Sequence, residues 1–212
     1  RRPPRSTRKE SSAASDVYKR QINGYTTGQV VLNSVSDTVV NLAAIEALDD
    51  GEMKFADDGA ISVSDAATKA NADTINAYTT GQVTLTTVSD TVVNVLAIDA
   101  LTTTEVSMAA AAVTVTDAAT LANAVAINAD TTGLVTLDSV ADTVANITSI
   151  DALTTTEVSM EAAAVSITDT GASKTQVDAV NAFTTGTVTP TSVSEDRADL
   201  ATLAATGGIS LS

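Results

Sequence analysis

The side chains in this chain that could do chemistry are carboxylates and hydroxyls. There is no histidine and no cysteine. Disulfides, thiolate nucleophiles, zinc sites of the usual kind and imidazole acid–base catalysis are therefore excluded. Serine and threonine are abundant, yet a hydroxyl nucleophile needs a base. Beyond residue 21 the candidates are carboxylates and four Lys or Arg residues. The carboxylates recur in pairs 52 residues apart: Asp90 with Asp142, Asp99 with Asp151, Glu105 with Glu157. A catalytic pair is expected once in a chain, not in every copy of a repeat. These acids read as helix-cap and turn residues, and no catalytic, cofactor-binding or metal-binding residue is assigned.

Three other patterns carry a specific chemistry in principle. Calcium takes six to eight oxygens from carboxylates and carbonyls, and Asp49-Asp50-Gly51-Glu52 and Ala56-Asp57-Asp58-Gly59 are acidic turns eight residues apart. Neither is an EF-hand loop, and no glycine-rich calcium nonapeptide is present; solvated turns are the simpler reading. The Thr-x-Thr pairs Thr84/Thr86, Thr114/Thr116 and Thr187/Thr189 suggest the threonine ladders of ice-binding solenoids. However, Leu137-Asp138 interrupts the lattice, and threonine also suits any solvated sheet face. Asn146-Ile147-Thr148 fits a glycosylation sequon, a match short enough to arise by chance.

These residues are positioned by a repeat. The text Ile75-Asn76-Ala77-Tyr78-Thr79-Thr80-Gly81 recurs with small changes at Ile22, Ile127 and Val180, at steps of 53, 52 and 53 residues. Self-similarity at such a period marks an array in which each unit buries its apolar face against its neighbours. The units are 22–74, 75–126, 127–179 and a truncated 180–212. Each divides again: Ile98 follows Ile75 by 23 residues and precedes Ile127 by 29. Each half begins at an Asp (Asp90, Asp117, Asp142) suited to cap a helix and runs through an Ala/Val-rich stretch of about 13 residues. It then passes a Thr-Thr turn into an alternating strand such as Gln82-Val83-Thr84-Leu85. In the helices, Val92, Val95, Ile98 and Leu101 are expected to face the sheet, as are Leu121, Ala124, Val125 and Asn128. The longer half adds a second alternating run, Val113-Thr114-Val115-Thr116, which either forms a hairpin or continues the winding. Three strands for two helices, with strands about 4.8 Å apart and helices about 8–10 Å apart, imply a curved α/β solenoid with helices outside and sheet inside.

Composition supports a core and narrows the partners. Hydrophobic residues make up 44% of the 212 residues and aromatics 2%, so the core is Val, Ile, Leu and Ala, without aromatic platforms for sugars or bases. The net charge is −15. Seven of the eleven basic residues precede residue 22, which leaves four bases against 24 acids afterwards, a net of −20. Such a surface repels nucleic acid and anionic membranes. No stretch has the roughly 18 apolar residues of a membrane span, so membrane insertion is not expected.

Residues 1–21 share nothing with the repeats. Their stretch SSAASDVYKRQ is similar to translated sequencing-adapter read-through at the ends of metagenomic reading frames; a genuine basic linker is the alternative. Either origin predicts disorder, since the segment has little apolar surface to bury. Gly208-Ile209-Ser210-Leu211-Ser212 stops within the strand of a half-unit. Neither end reads as a capping repeat, so a fragment of a longer array is expected.

The phrase Ile-Asn/Asp-Ala-x-Thr-Thr-Gly-x-Val-Thr, joined to an Asp-led Ala/Val helix, resembles tandem repeats of giant secreted or surface proteins of marine bacteria, adhesin-like or surface-layer-like. The resemblance covers residues 22–212. It implies an extracellular or cell-surface location and carries over no site residues. The expected function is that of a structural spacer or adhesive stalk without catalysis or cofactor, its partners being neighbouring repeats of the same parent chain. The alternative is a repeat module that binds calcium or surface glycans.

Overall fold

The computed structural model describes residues 28–48, 53–101, 105–153 and 157–211. The turn Asp49-Asp50-Gly51-Glu52, the run Thr102-Thr103-Thr104 and the segment 1–21 lie outside them. In chain order the elements are β1 (Val30–Asp37), α1 (Val39–Glu46), β2 (Met53–Ala67), α2 (Lys69–Asn76), β3 (Val83–Asp90), α3 (Val92–Asp99), β4 (Val106–Ser107), β5 (Ala112–Ala119), α4 (Leu121–Asp130), β6 (Val135–Asp142), α5 (Val144–Asp151), β7 (Val158–Ser159), β8 (Ala164–Ile167), α6 (Lys174–Asn181), β9 (Val188–Pro190) and α7 (Arg197–Ala205).

The β3–α3 unit shows how the sequence dictates the local form. In β3 the alternation buries Val83, Leu85 and Val88 and leaves Thr84 and Thr86 in solvent. The chain is still extended at the cap Thr91 and enters α3 at Val92; the helix buries Val92, Val95 and Ile98 on one stripe and ends at Asp99, followed by the cap Ala100. The helices run 8–10 residues, about 12–15 Å, rather than the 13 residues the sequence suggests. The Thr and Ala residues at either end are cap and turn, not helix. In α4 the buried positions are Ala124 and Ile127, while Val125 is exposed, so its stripe is offset from the expected one.

All nine strands join one sheet, and every pairing is parallel. The order is β1-β2-β3-β5-β6-β8-β9, with β4 also beside β3 and β7 also beside β6. Consecutive helices touch one another and the strands beside them. The helices cover one face only, which is why the strands alternate. A parallel sheet covered on both faces would read as continuous apolar runs.

The paired alternating runs are not a hairpin; they continue the winding, as one rung and not as two. Val83 pairs with Val106 of β4, and Val88 pairs with Val113 of β5, so both runs lie along the same edge of β3. Together they form one rung interrupted at residues 108–111. In the first unit β2 runs unbroken through the equivalent place, with a register jump: Leu32 faces Phe55 but Ser34 faces Ala60. Rungs and helices therefore alternate one to one, and the expected ratio of three strands to two helices does not hold. Every second rung instead carries a bulge, and that bulge positions the contacts below.

Candidate functional site

Of the recurrent acids, Asp90 and Asp142 reach helix N-termini, where the first backbone N–H groups lack intrahelical acceptors. Asp90 and Asp142 are not the N-caps that the sequence suggests. That position belongs to Thr91 and Thr143, as it does to Thr120 after Asp117. Asp142 instead stands one residue earlier, and its two oxygens bind in two directions. Oδ1 accepts from the N–H of Thr143 (2.8 Å) and from Nδ2 of Asn146 (2.7 Å), within its own unit. Oδ2 accepts from the N–H of Leu121, the first residue of α4 in the preceding unit, at 2.9 Å. Asp90 does the same with Thr91, Asn94 and, across to α2, the N–H of Lys69 at 2.8 Å.

The lateral bond recurs along the sheet. The N–H of Val39 donates to Asp65 (2.9 Å), Val92 to Asp117 (2.7 Å), Val144 to Asp169 (2.6 Å) and Lys174 to Glu195 (2.5 Å). Six helices, α1 to α6, are thus held at the first N–H by a carboxylate from the next rung. The bonds are charge-assisted and sit at the positive end of each helix dipole. Burial pushes the carboxyls of Asp90 and Asp142 up, but the Asn and backbone hydrogen bonds outweigh it and hold both below the ordinary aspartate range.

A second set of contacts clasps the rungs at the other end of the strands. Thr79, Thr131 and Thr184, each the first threonine of a Thr-Thr-Gly, are buried, Thr131 being 7% exposed. Its hydroxyl donates to the Ala111 carbonyl of the preceding bulged rung (2.6 Å) and accepts from the Gly133 N–H (2.9 Å). Thr79 repeats this with Gly59 and Gly81, and Thr184 with Ala163 and Gly186. The second threonine docks on the bulge too: Thr132 donates to the Ala109 carbonyl from N (2.8 Å) and Oγ1 (3.0 Å). Gly133 is required by proximity, since a Cβ there would lie 2.1 Å from the Ala111 oxygen.

The other singled-out residues are not brought into one constellation. Asp99 and Asp151 end α3 and α5, Asp99 raising the carboxyl of Asp130 in addition to the larger effect of burial. Asp151 borders a shallow cavity of about 130 Å³ that Ser159, Glu161 and Phe183 also line. Glu105 and Glu157 have exposed side chains, and it is their carbonyls that accept, from Val83 and Val135. Ala56-Asp57-Asp58-Gly59 is not the turn that the sequence suggests but part of β2; Asp57 pairs with Lys54 at 3.3 Å with its side chain 92% exposed, while its carbonyl takes the Thr79 and Thr80 hydroxyls. Asn146 and Thr148 of the sequon are committed within α5, to Asp142 and the Val144 carbonyl. Thr84 and Thr86 face solvent, with the Thr86 hydroxyl donating to the Val63 carbonyl. Among the described residues no group of three acidic side chains is placed to hold a metal ion, and no helix is long and apolar enough to cross a membrane. The threonine clasp was missed in the sequence reading, which took Thr-Thr as a turn. Its signal was the unvarying Thr-Thr-Gly where a turn alone would tolerate many residues.

No protein-family model, no curated protein and no solved structure matches this chain.

Proposed function

We propose that residues 22–212 are an α/β solenoid of 52-residue repeats that works as a structural spacer or adhesive stalk in a large exported bacterial surface protein, without catalysis. The observation that carries this reading is the use made of the recurrent polar side chains. Asp90, Asp117, Asp142 and Asp169 are not gathered round a common pocket; each gives an oxygen to the first N–H of the helix that precedes its own rung. Thr79, Thr131 and Thr184 do likewise at the opposite end of the strands. Side chains that recur in every unit and bond from unit to unit give a nearest-neighbour array its lateral stiffness. With one helix per rung, helices still need about 8–10 Å where strands need about 4.8 Å, so the array curves with the helices on the wider side. The −20 charge beyond residue 21 suits a solvated surface outside the cell.

Single-molecule stretching of the chain tests this. A stalk of stacked repeats gives way in steps near one repeat, about 170–190 Å of contour for 52 residues. One all-or-none event for the whole array would contradict the reading. A rise in melting temperature with millimolar calcium would favour the calcium-binding alternative instead.

A further inference from the structure

The last rung departs from its equivalents at two positions, both on the side that would receive a following rung. Pro190 occupies the place of Leu85 in β3 and Leu137 in β6. In the parallel ladder, Val188 donates to the Gly208 carbonyl (2.6 Å) and accepts from the Ser210 N–H (2.8 Å), so a following rung begins at Ile209. The next outward donor is residue 190, two residues on, and its target is the Ser210 carbonyl. Proline has no N–H to give. Thr191 donates to the Ile167 carbonyl on the inner side, so the missing donor affects only the outer edge. β9 spans three residues where β3 and β6 span eight, and its inner partner β8 spans four.

The second departure is at the cap of α7. Helices α1, α3 and α5 follow Thr38, Thr91 and Thr143, and each takes a carboxylate from the next rung. The cap of α7 is Asp196, whose own carboxylate accepts from the N–H groups of Ala198 (2.8 Å) and Asp199 (3.0 Å). The negative charge that its equivalents import from a neighbour is thus supplied from within the unit. Proline on an edge strand is also one of the devices by which sheets refuse further pairing.

We propose that Pro190 and Asp196 make the β9–α7 unit a stop for the parallel ladder: a self-capped unit whose outer edge lacks the donor at residue 190 that a strand paired at Ile209 needs to extend its pairing through the Ser210 carbonyl. The inference concerns the edge chemistry alone and stands whether or not the array is a surface stalk.

Amide hydrogen exchange on the full chain tests it with two variants. In Pro190→Leu, the new amide at 190 is expected to be protected, and Ile209–Leu211 to exchange about fivefold to tenfold more slowly than in the parent. Asp196→Thr is expected to quicken exchange in the first turn of α7 about fivefold or more while β9 is unaffected. The amides of Val92 and Leu121 report that either variant has kept the rest of the fold. Free exchange at residue 190 in Pro190→Leu, with Ile209–Leu211 unchanged, would overturn the stop. So would an α7 first turn indifferent to Asp196→Thr, since the helix would then not depend on its own carboxylate.

Discussion

Asp142 is 9% exposed and accepts three hydrogen bonds, two from backbone N–H groups that have no other helical acceptor. Replacing it with Ala removes all three and is expected to lower unfolding free energy by about 2–4 kcal/mol in urea titration. The pH dependence has a definite sign. A carboxyl whose pKa is lower folded than unfolded adds stability above the unfolded pKa, and that stability is lost as pH falls through the folded value. Asp90 and Asp142 are both of this kind. The chain should therefore hold its stability from neutral pH down to about pH 5, lose it progressively below about pH 4, and show a flatter acid limb in the Asp90→Ala/Asp142→Ala variant. Asp130 is shifted the opposite way, by burial and then by Asp99, so its charge opposes folding at neutral pH. Asp130→Asn should raise the melting temperature at pH 7, an advantage that fades as the acid limb is approached. Gly133→Ala forces a methyl within 2.1 Å of the Ala111 oxygen and is expected to cost about 2 kcal/mol or more.

At the scale of elements, the core depends on one stripe per helix. Ile98 is fully buried between α3 and the sheet, and an unpaired carboxylate there has no acceptable environment. Ile98→Asp should unfold the α2–α4 region, seen as lost helical circular dichroism and a lower urea midpoint. An unchanged midpoint would mean that the stripe carries little of the stability. The strand–helix alternation and this stripe were legible in the sequence, because Val92, Val95 and Ile98 repeat at helical spacing and Val83, Leu85 at strand spacing. The caps were not. Asp and Thr are adjacent at 90–91 and 142–143 and either residue type can cap a helix, so only the partner across the rung shows that Thr caps and Asp reaches outward. The bulged rung was illegible for a similar reason. Val106-Ser107 and Val113-Thr114 alternate like two strands, and only the shared edge of β3 shows them to be one.

At the scale of the molecule, the sheet has parallel neighbours throughout and two kinds of rung, plain and bulged, laced at helix N-termini by carboxylates and at the strand entrances by threonines. Lateral bonds of this kind couple each rung to the next, so local opening should be no easier at an inner helix start than in the strands beside it. The amides of Lys69, Val92, Leu121 and Val144 are the places to measure this, by hydrogen exchange on the whole chain. The first N–H of a helix has no acceptor within the helix and ordinarily exchanges freely. If the carboxylate lacing joins rung to rung, these four amides are protected to about the level of β3, β5 and β6. Exchange at unprotected rates, with the strands still protected, would contradict it.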